Sequence, residues 1–304
     1  MQIYKELQNI LPSNKIKVNE SLKHHTTLRI GGYADYLVVP SSTNEVINII
    51  QLCNEEKIDF FIIGNGSNLL VSDEGYRGII MKIGNDFANI SINATGTVTA
   101  QAGAKLPKLA NTIAKNSFTG FEFAFGIPAT LGGAITMNAG AYDGEIGNCL
   151  VSAKIVDTSG KVITLTKNRL ELGYRTSILQ KKKHILLEAD MKFTQGNQQD
   201  ILTKMQKLNQ LRRDSQPLNQ LSAGSIFKRP EGYLTWKLIS NTGLRGYRIG
   251  DAVVSDKHCG FIINKGKATS KDFISLIRHI IRTVYDRCGI MLEPEIHFLG
   301  NFEE

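Results

Sequence analysis

The 304-residue sequence predicts an α+β fold, and three features carry that prediction. Short β-branched runs separated by Gly, Asn and Asp fill residues 78–101, as strands joined by turns do. Helical spacings interrupt such runs without regular β-α alternation. After Gly196 the pattern changes to long helices with one polar face.

Taken in order, residues 42–57 read as a helix. Ser42 and Glu45 form a capping box, and Val46, Ile49, Ile50 and Cys53 fall on one face. Phe60-Phe61-Ile62-Ile63 follows as a buried strand that stops at glycine. Residues 79–83, 88–92 and 97–101 read as strands, 106–116 as a helix, and 151–157, 162–166 and 185–193 as strands again. Lys181-Lys182-Lys183, the one dense basic cluster, is placed on a solvated turn before the last of these. Residues 200–213 form a helix whose apolar side is Ile201, Met205, Leu208 and Leu211. A second helix, 269–287, starts at Thr269 with Asp272 in its first turn and turns Phe273, Ile277, Ile280 and Val284 inward. The polar stretch 195–199 is the preferred boundary. It leaves an N-terminal helical segment over 1–19, a larger region over 20–196 divided near 85, and a smaller α+β domain over 201–304.

Composition narrows the function classes. At 42% apolar and 21% charged residues, disorder, collagen-like repeats and a disulfide-stapled miniprotein are excluded. A net charge of +8 suits phosphate-bearing ligands and nucleic acid alike, and does not choose between them. Cys53, Cys149, Cys259 and Cys288 show neither C-x-x-C nor metal-type spacing, so buried free thiols in a reducing compartment are expected and no metal site is assigned. The N-terminus lacks a basic start followed by an apolar run, and no apolar stretch approaches the ~20 residues of a membrane span. A soluble, cytoplasmic protein is expected.

Two phosphate motifs fail on inspection. Gly64-Asn65-Gly66-Ser67-Asn68-Leu69 begins like G-x-G-x-x-G but has leucine at the third glycine. Gly266-Lys267 lacks a correctly spaced glycine before it, and Ala268 replaces the Ser/Thr of a P-loop. The glycines still matter, because they let backbone approach a ligand and their N–H groups can form an anion nest. The same potential lies in residues 126–142, with four glycines and four alanines, where a helix starting near Pro128 and Ala129 could present N-terminal N–H groups to a pyrophosphate. Alone, the first segment is as readily a tight strand-to-strand turn, and helix-on-sheet packing would also favour the small residues of the second. Two such segments in one chain point to a large phosphate-bearing cofactor. Ser222-Ala223-Gly224-Ser225-Ile226-Phe227-Lys228 reads as a turn entering a strand, or as a hydroxyl proton donor beside a lysine. Tyr174-Arg175 and Leu292-Glu293-Pro294-Glu295-Ile296 place charge in apolar surroundings, either as structural ion pairs or as site residues.

In order and spacing these segments resemble the UDP-N-acetylmuramate dehydrogenase family, also called UDP-N-acetylenolpyruvoylglucosamine reductase or MurB. The matching stretches are Thr26-Thr27-Leu28-Arg29-Ile30-Gly31-Gly32, residues 64–70, 122–142, Tyr174-Arg175, Gln216-Pro217-Leu218, 222–228 and 292–296. The resemblance covers about 22–299. It implies a flavoenzyme of peptidoglycan precursor synthesis, with an FAD-binding region of the vanillyl-alcohol-oxidase (PCMH) type in two subdomains over 20–196 and a substrate domain over 201–304. FAD would be noncovalent and NADPH the hydride donor. The acceptor would be the enolpyruvyl ether of UDP-N-acetylglucosamine.

By that resemblance Arg175 and Glu295 stabilise the carbanion and Ser225 protonates it. FAD would lie along Gly64, Asn65, Gly66, Ser67 and Asn68, and along Ile127, Pro128, Ala129, Thr130, Gly132 and Gly133, with Asn138, Ala139 and Gly140 near its ring. Tyr174, Arg213 and Lys228 would hold substrate. Arg229 stands where many relatives have asparagine, and the short stretch between Arg175 and Ser225 matches the shorter, type II form. No nucleic acid, membrane insertion or obligate protein partner is expected. Another flavin oxidoreductase of the same superfamily and a basic nucleic-acid-binding module are the competing readings. The first would not need Ser225 and Glu295, and the second predicts basic clusters interleaved with aromatics.

Overall fold

The computed structural model describes residues 2–302. Contacts divide the chain into two compact units that are discontinuous in sequence: 2–18, 36–65 and 78–212 form one, and 19–35, 66–77 and 213–302 the other. The contiguous blocks expected from sequence differ from this in three places. The polar stretch before residue 200 is a helix start rather than a linker, because the Asn197 side chain accepts the Gln199 and Asp200 N–H groups at 2.9 and 3.2 Å. The helix Gln198–Ser215 then runs straight through the expected boundary. Residues 19–35 and 66–77 belong with the C-terminal part. In the N-terminal segment only Gln2–Ile10 is α-helical, and Ile16–Ser21 is a strand.

The first unit is built on a five-stranded antiparallel sheet, in the order Val162–Thr166, Leu150–Val156, Ile185–Lys192, Thr97–Gln101 and Ile90–Ile92. The strand Phe60–Ile63 runs parallel to Tyr76–Lys82, Phe60 opposite Ile79 and Ile63 opposite Lys82. Thr43–Glu55 is a helix with the Ser42/Glu45 capping box in place, burying Val46, Ile49, Ile50 and Cys53. The helix Leu106–Lys115 buries Leu106, Leu109, Ala110 and Ile113. One apolar core runs on both sides of residue 85 and includes Ile83, Phe87 and Val98.

The second unit pairs Leu221–Ser225, Phe261–Asn264, Ala252–Val254 and Arg248–Ile249 in that order. The helices Thr235–Asn241 and Ser270–Cys288 and a parallel pair, Leu69–Val71 with His297–Leu299, complete it. The Thr269/Asp272 capping box is present, and Asp73 accepts the Ser270 N–H and hydroxyl, both at 2.8 Å.

Several expectations need correction. Leu211 is 45% exposed, and the inward face of its helix is Ile201 and Met205 with Leu208 half-buried. Cys288 is exposed while the other three thiols are buried, burial pushing Cys53 and Cys149 up to about 12. Lys181 closes a short helix, Ile178–Lys181, and pairs with Glu171 at 2.9 Å. The segment around Ser225 leaves a strand rather than entering one, since Leu221–Ser225 is itself the strand. Among the described residues no helix is long and apolar enough to cross a membrane.

Candidate active site

In the first unit the two glycine-rich segments meet. The Asn65 amide donates to the Pro128 carbonyl at 2.7 Å, and a Cβ added at Gly64 would stand 2.2 Å from the Thr130 hydroxyl oxygen, so only glycine fits there. The helix expected to start near Pro128 runs instead over Leu131–Thr136, six residues. Its first amides are not a free anion cradle. Leu131 N–H donates to Ala104 O and Gly132 N–H to Ala102 O, each at 2.8 Å, an arrangement that anchors the segment to the turn after Thr97–Gln101. Gly133 alone keeps an exposed, open face, its nearest neighbour Thr130 Oγ1 lying 3.8 Å from where a Cβ would be.

Residues 136–140 form a platform for Arg175. The buried Asn138 side chain donates to Gly173 O at 3.1 Å and accepts the Gly147 N–H at 2.9 Å. Ser177 Oγ donates to Thr136 O at 2.8 Å. Between these anchors Gly173 and Thr176 exchange backbone hydrogen bonds, so Tyr174 and Arg175 form the tip of a tight turn. Arg175 adopts φ +56°, uncommon for a residue with a Cβ. Its Nη2 donates to Gly140 O at 3.2 Å, and its guanidinium lies 5.1 Å over the Tyr174 ring, which is half-exposed.

Sequence reasoning passed over two residues of this unit. Arg212, neighbour of the chosen Arg213, has a buried Nε with no hydrogen-bond partner among the described residues. Its Cδ lies 3.0 Å from where a Cβ on Gly126 would stand, and burial lowers its pKa, with Tyr142 partly opposing. The spacing 201, 205, 208, 212 puts it on the inward face of its helix, the signal that could have found it. Glu122, buried, accepts from the Thr119 hydroxyl and from the Gly120 N–H at 3.1 Å, with Lys204 at 3.5 Å. Burial alone would raise its pKa, but these partners hold it below the usual carboxylate range.

In the second unit Ser225 and Glu295 are joined through backbone despite their distance in sequence. Glu295 N–H donates to Ile226 O at 2.7 Å, Lys228 N–H donates to Glu293 O at 2.9 Å, and Phe227 bridges Pro294. Ser225 follows a β-bulge: Ser222 pairs with Ile263 but Ser225 with Phe261, one residue more on this strand than on its partner. Gly224, at φ +79°, takes the turn. The Ser225 hydroxyl donates to Phe227 O at 3.3 Å. Asn68 donates its amide to Glu295 O at 3.1 Å, and its own carbonyl accepts the His297 N–H, so it props the Glu295 segment. Gly66, at φ +60°, leaves no room for a Cβ, which would stand 2.1 Å from His25 O. The Lys228 ammonium is paired with Glu293. Arg213 is exposed, its carbonyl accepting from Lys257, and Arg229 is exposed.

A large anionic cofactor fits the first unit on two observations, the unpartnered buried Arg212 Nε beside Gly126 and the open face at Gly133. Residues 34–166 match the family model of an FAD binding domain, and 216–299 that of the UDP-N-acetylenolpyruvoylglucosamine reductase C-terminal domain. A UDP-N-acetylenolpyruvoylglucosamine reductase of Lachnoclostridium phytofermentans is 48% identical over 98% of this chain and 97% of its own. One of Clostridioides difficile is 46% identical, covering 98% of each. The crystal structure of the Thermus caldophilus reductase superposes with a TM-score of 0.81 at 32% identity, covering 94% of this chain and 100% of that one. A glucose dehydrogenase, Phl p 4.0202, shares the fold alone, at TM-score 0.52 and 13% identity over 65% of this chain and 45% of its own. With near-full-length identity at this level, the chain belongs to the UDP-N-acetylenolpyruvoylglucosamine reductase family and is an FAD-binding oxidoreductase.

Proposed function

We propose that this protein reduces the enolpyruvyl ether of UDP-N-acetylglucosamine to UDP-N-acetylmuramate at the expense of NADPH. The observation that carries the reading is the hydrogen bond from Glu295 N–H to the carbonyl of Ile226, which ties the backbone of the carboxyl-bearing residue to the residue next to the hydroxyl donor Ser225. When bound, FAD supplies the hydride chemistry. Residues 64–65 and 126–133 would hold it, and the buried Arg212 guanidinium would offer a charge partner for an anionic group.

Addition of hydride to the vinyl carbon leaves a carbanion next to a carboxylate, with charge on two oxygens. The Arg175 guanidinium, fixed by Gly140 and Tyr174, stabilises that charge. Glu295, protonated, does the same by donating a hydrogen bond. The Ser225 hydroxyl turns from Phe227 O and gives its proton to the carbanion. Lys228, Tyr174 and Arg213 hold the diphosphate and sugar. The resemblance's division of labour, flavin chiefly on the N-terminal part and sugar chiefly on the C-terminal part, is part of the same proposal.

An anaerobic absorbance titration tests it. NADPH should bleach the visible flavin bands, and the enolpyruvyl UDP-sugar should restore them. Bleaching without recovery would reject the substrate, and a protein that cannot be loaded with FAD would reject the reading entirely.

A further inference from the structure

The turn that follows Ala252–Val254 holds a histidine that no step above uses. Its backbone is tightly tied. Ser255 N–H donates to Phe261 O and Phe261 N–H to His258 O, each at 2.9 Å, and Ser255 Oγ accepts the His258 N–H at 3.4 Å. The half-buried ring packs edge-on to Phe261, centroids 5.0 Å apart, and tilts against Trp236 at 6.2 Å. Its Nδ1 accepts the Gly260 N–H at 3.2 Å, and Gly260 O in turn accepts the Ile226 N–H at 2.9 Å.

Gly260 is where the ring and the proposed proton donor converge. A Cβ there would stand 2.9 Å from His258 Cε1, 3.1 Å from Nδ1 and 3.5 Å from Ser225 Oγ. A side chain there would crowd the imidazole, while the Ser225 hydroxyl stands at ordinary contact distance. Gly260 is thus held from one side by the ring nitrogen and from the other by the residue after Ser225.

We propose that His258 is a positioning residue for Ser225: through the Gly260 peptide its unprotonated Nδ1 fixes the strand end that aims the hydroxyl. This rests on Ser225 being the proton donor. The role needs a neutral ring with its proton on Nε2, because a proton on Nδ1 would face the Gly260 N–H and break the tie. The charged groups around the ring are consistent with neutrality. Arg245 donates to Asp256 O, Lys237 lies over the Trp236 ring, and Asp256 and Lys257 flank it in the chain. Burial lowers its pKa, a hydrogen bond to its own backbone partly opposes this, and Arg245 lowers it further. A depressed pKa means the tie is complete at neutral pH and above and is lost as pH falls through that value.

The test uses FAD-loaded enzyme, first reduced, then mixed with the enolpyruvyl UDP-sugar in single turnover, with reduction by NADPH as the control. His258→Leu removes the acceptor and should slow reoxidation about ten- to a hundredfold, as a misaimed donor does, with NADPH reduction changed less than about twofold. His258→Asn places an amide oxygen where Nδ1 was and does not titrate. It should restore reoxidation to within about threefold of wild type and remove the fall in rate that wild type shows as pH drops through the lowered His258 value. Equal rates in wild type and His258→Leu would overturn the proposal, as would a His258→Asn enzyme that keeps the acid limb. If His258→Leu does not fold, the His258→Asn profile decides. A further readout is independent of the substrate: ¹⁵N-histidine NMR should show His258 as the Nε2–H tautomer, and an Nδ1–H tautomer would refute the tie. Wild-type enzyme that the sugar does not reoxidise, but with the Nε2–H tautomer, would locate the failure in the proposed function and withdraw the role in catalysis while leaving the tie.

Discussion

Arg175 and the Ser225/Glu295 pair are held by different means. Arg175 sits at the tip of a four-residue turn in left-handed backbone, tethered to residues 136–140 by side-chain hydrogen bonds from Asn138, Ser177 and Arg175 itself. Ser225 and Glu295 lie in a backbone ladder, with a bulge on one side and the Asn68 prop on the other. Side-chain tethers can be removed one at a time, whereas a ladder responds to backbone changes. The first region should therefore be loosened by single polar deletions, and the second by changes at its glycines.

The largest effect on this comparison is chemical. Glu295→Gln keeps the ladder, since Glu295 enters it through its N–H and carbonyl, but changes the group proposed to carry a proton. Product formation should fall about a hundredfold or more with FAD content unchanged. A flavin-free variant would mean that the Glu295 side chain is structural. Asn138→Ala should come next. It leaves the buried Gly147 N–H without its partner and takes from the part-buried Gly173 carbonyl one of its two donors, costing about 1–3 kcal/mol in urea unfolding. It should slow product formation more than flavin reduction, because the Arg175 turn loses an anchor. Gly224→Ala meets no steric neighbour, so its cost, about 1 kcal/mol, comes from the positive φ alone. A cost near zero would mean that the bulge relaxes.

The smallest effect is a pH dependence. The carboxyl of Glu122 is held below its ordinary range, so its stabilisation is complete above the unfolded value, ~4.3, and is lost as pH falls through the lower folded value. The stability gap between wild type and Glu122→Gln, followed by thermal melting, should close as pH is lowered. A gap that widens toward acid would contradict this.

What the sequence made legible was local. The Ser42/Glu45 capping box, the helix start at Thr269 with Asp272 in its first turn, and the apolar faces of both helices depend on residues three and four apart, and all were readable. The mixed α+β character followed from strand-length runs. Hidden were facts that depend on partners far along the chain. The amides of Leu131 and Gly132 look like an anion nest until Ala104 and Ala102 occupy them. Gly64 and Gly66 look alike in sequence, yet one makes room for Thr130 and the other for the His25 carbonyl. The inward place of Arg212 depends on helix phase, which reading Leu211 as inward obscured. The link of Glu295 to Ile226 crosses a sequence gap that no local pattern bridges.

The central claim, that Ser225 delivers the proton from a backbone-fixed position, is tested most directly by Ser225→Ala in stopped flow. NADPH should reduce the bound flavin at nearly the wild-type rate, while the enolpyruvyl UDP-sugar should reoxidise it about a thousandfold more slowly. Equal slowing of both half-reactions, or reoxidation at the wild-type rate, would contradict the account.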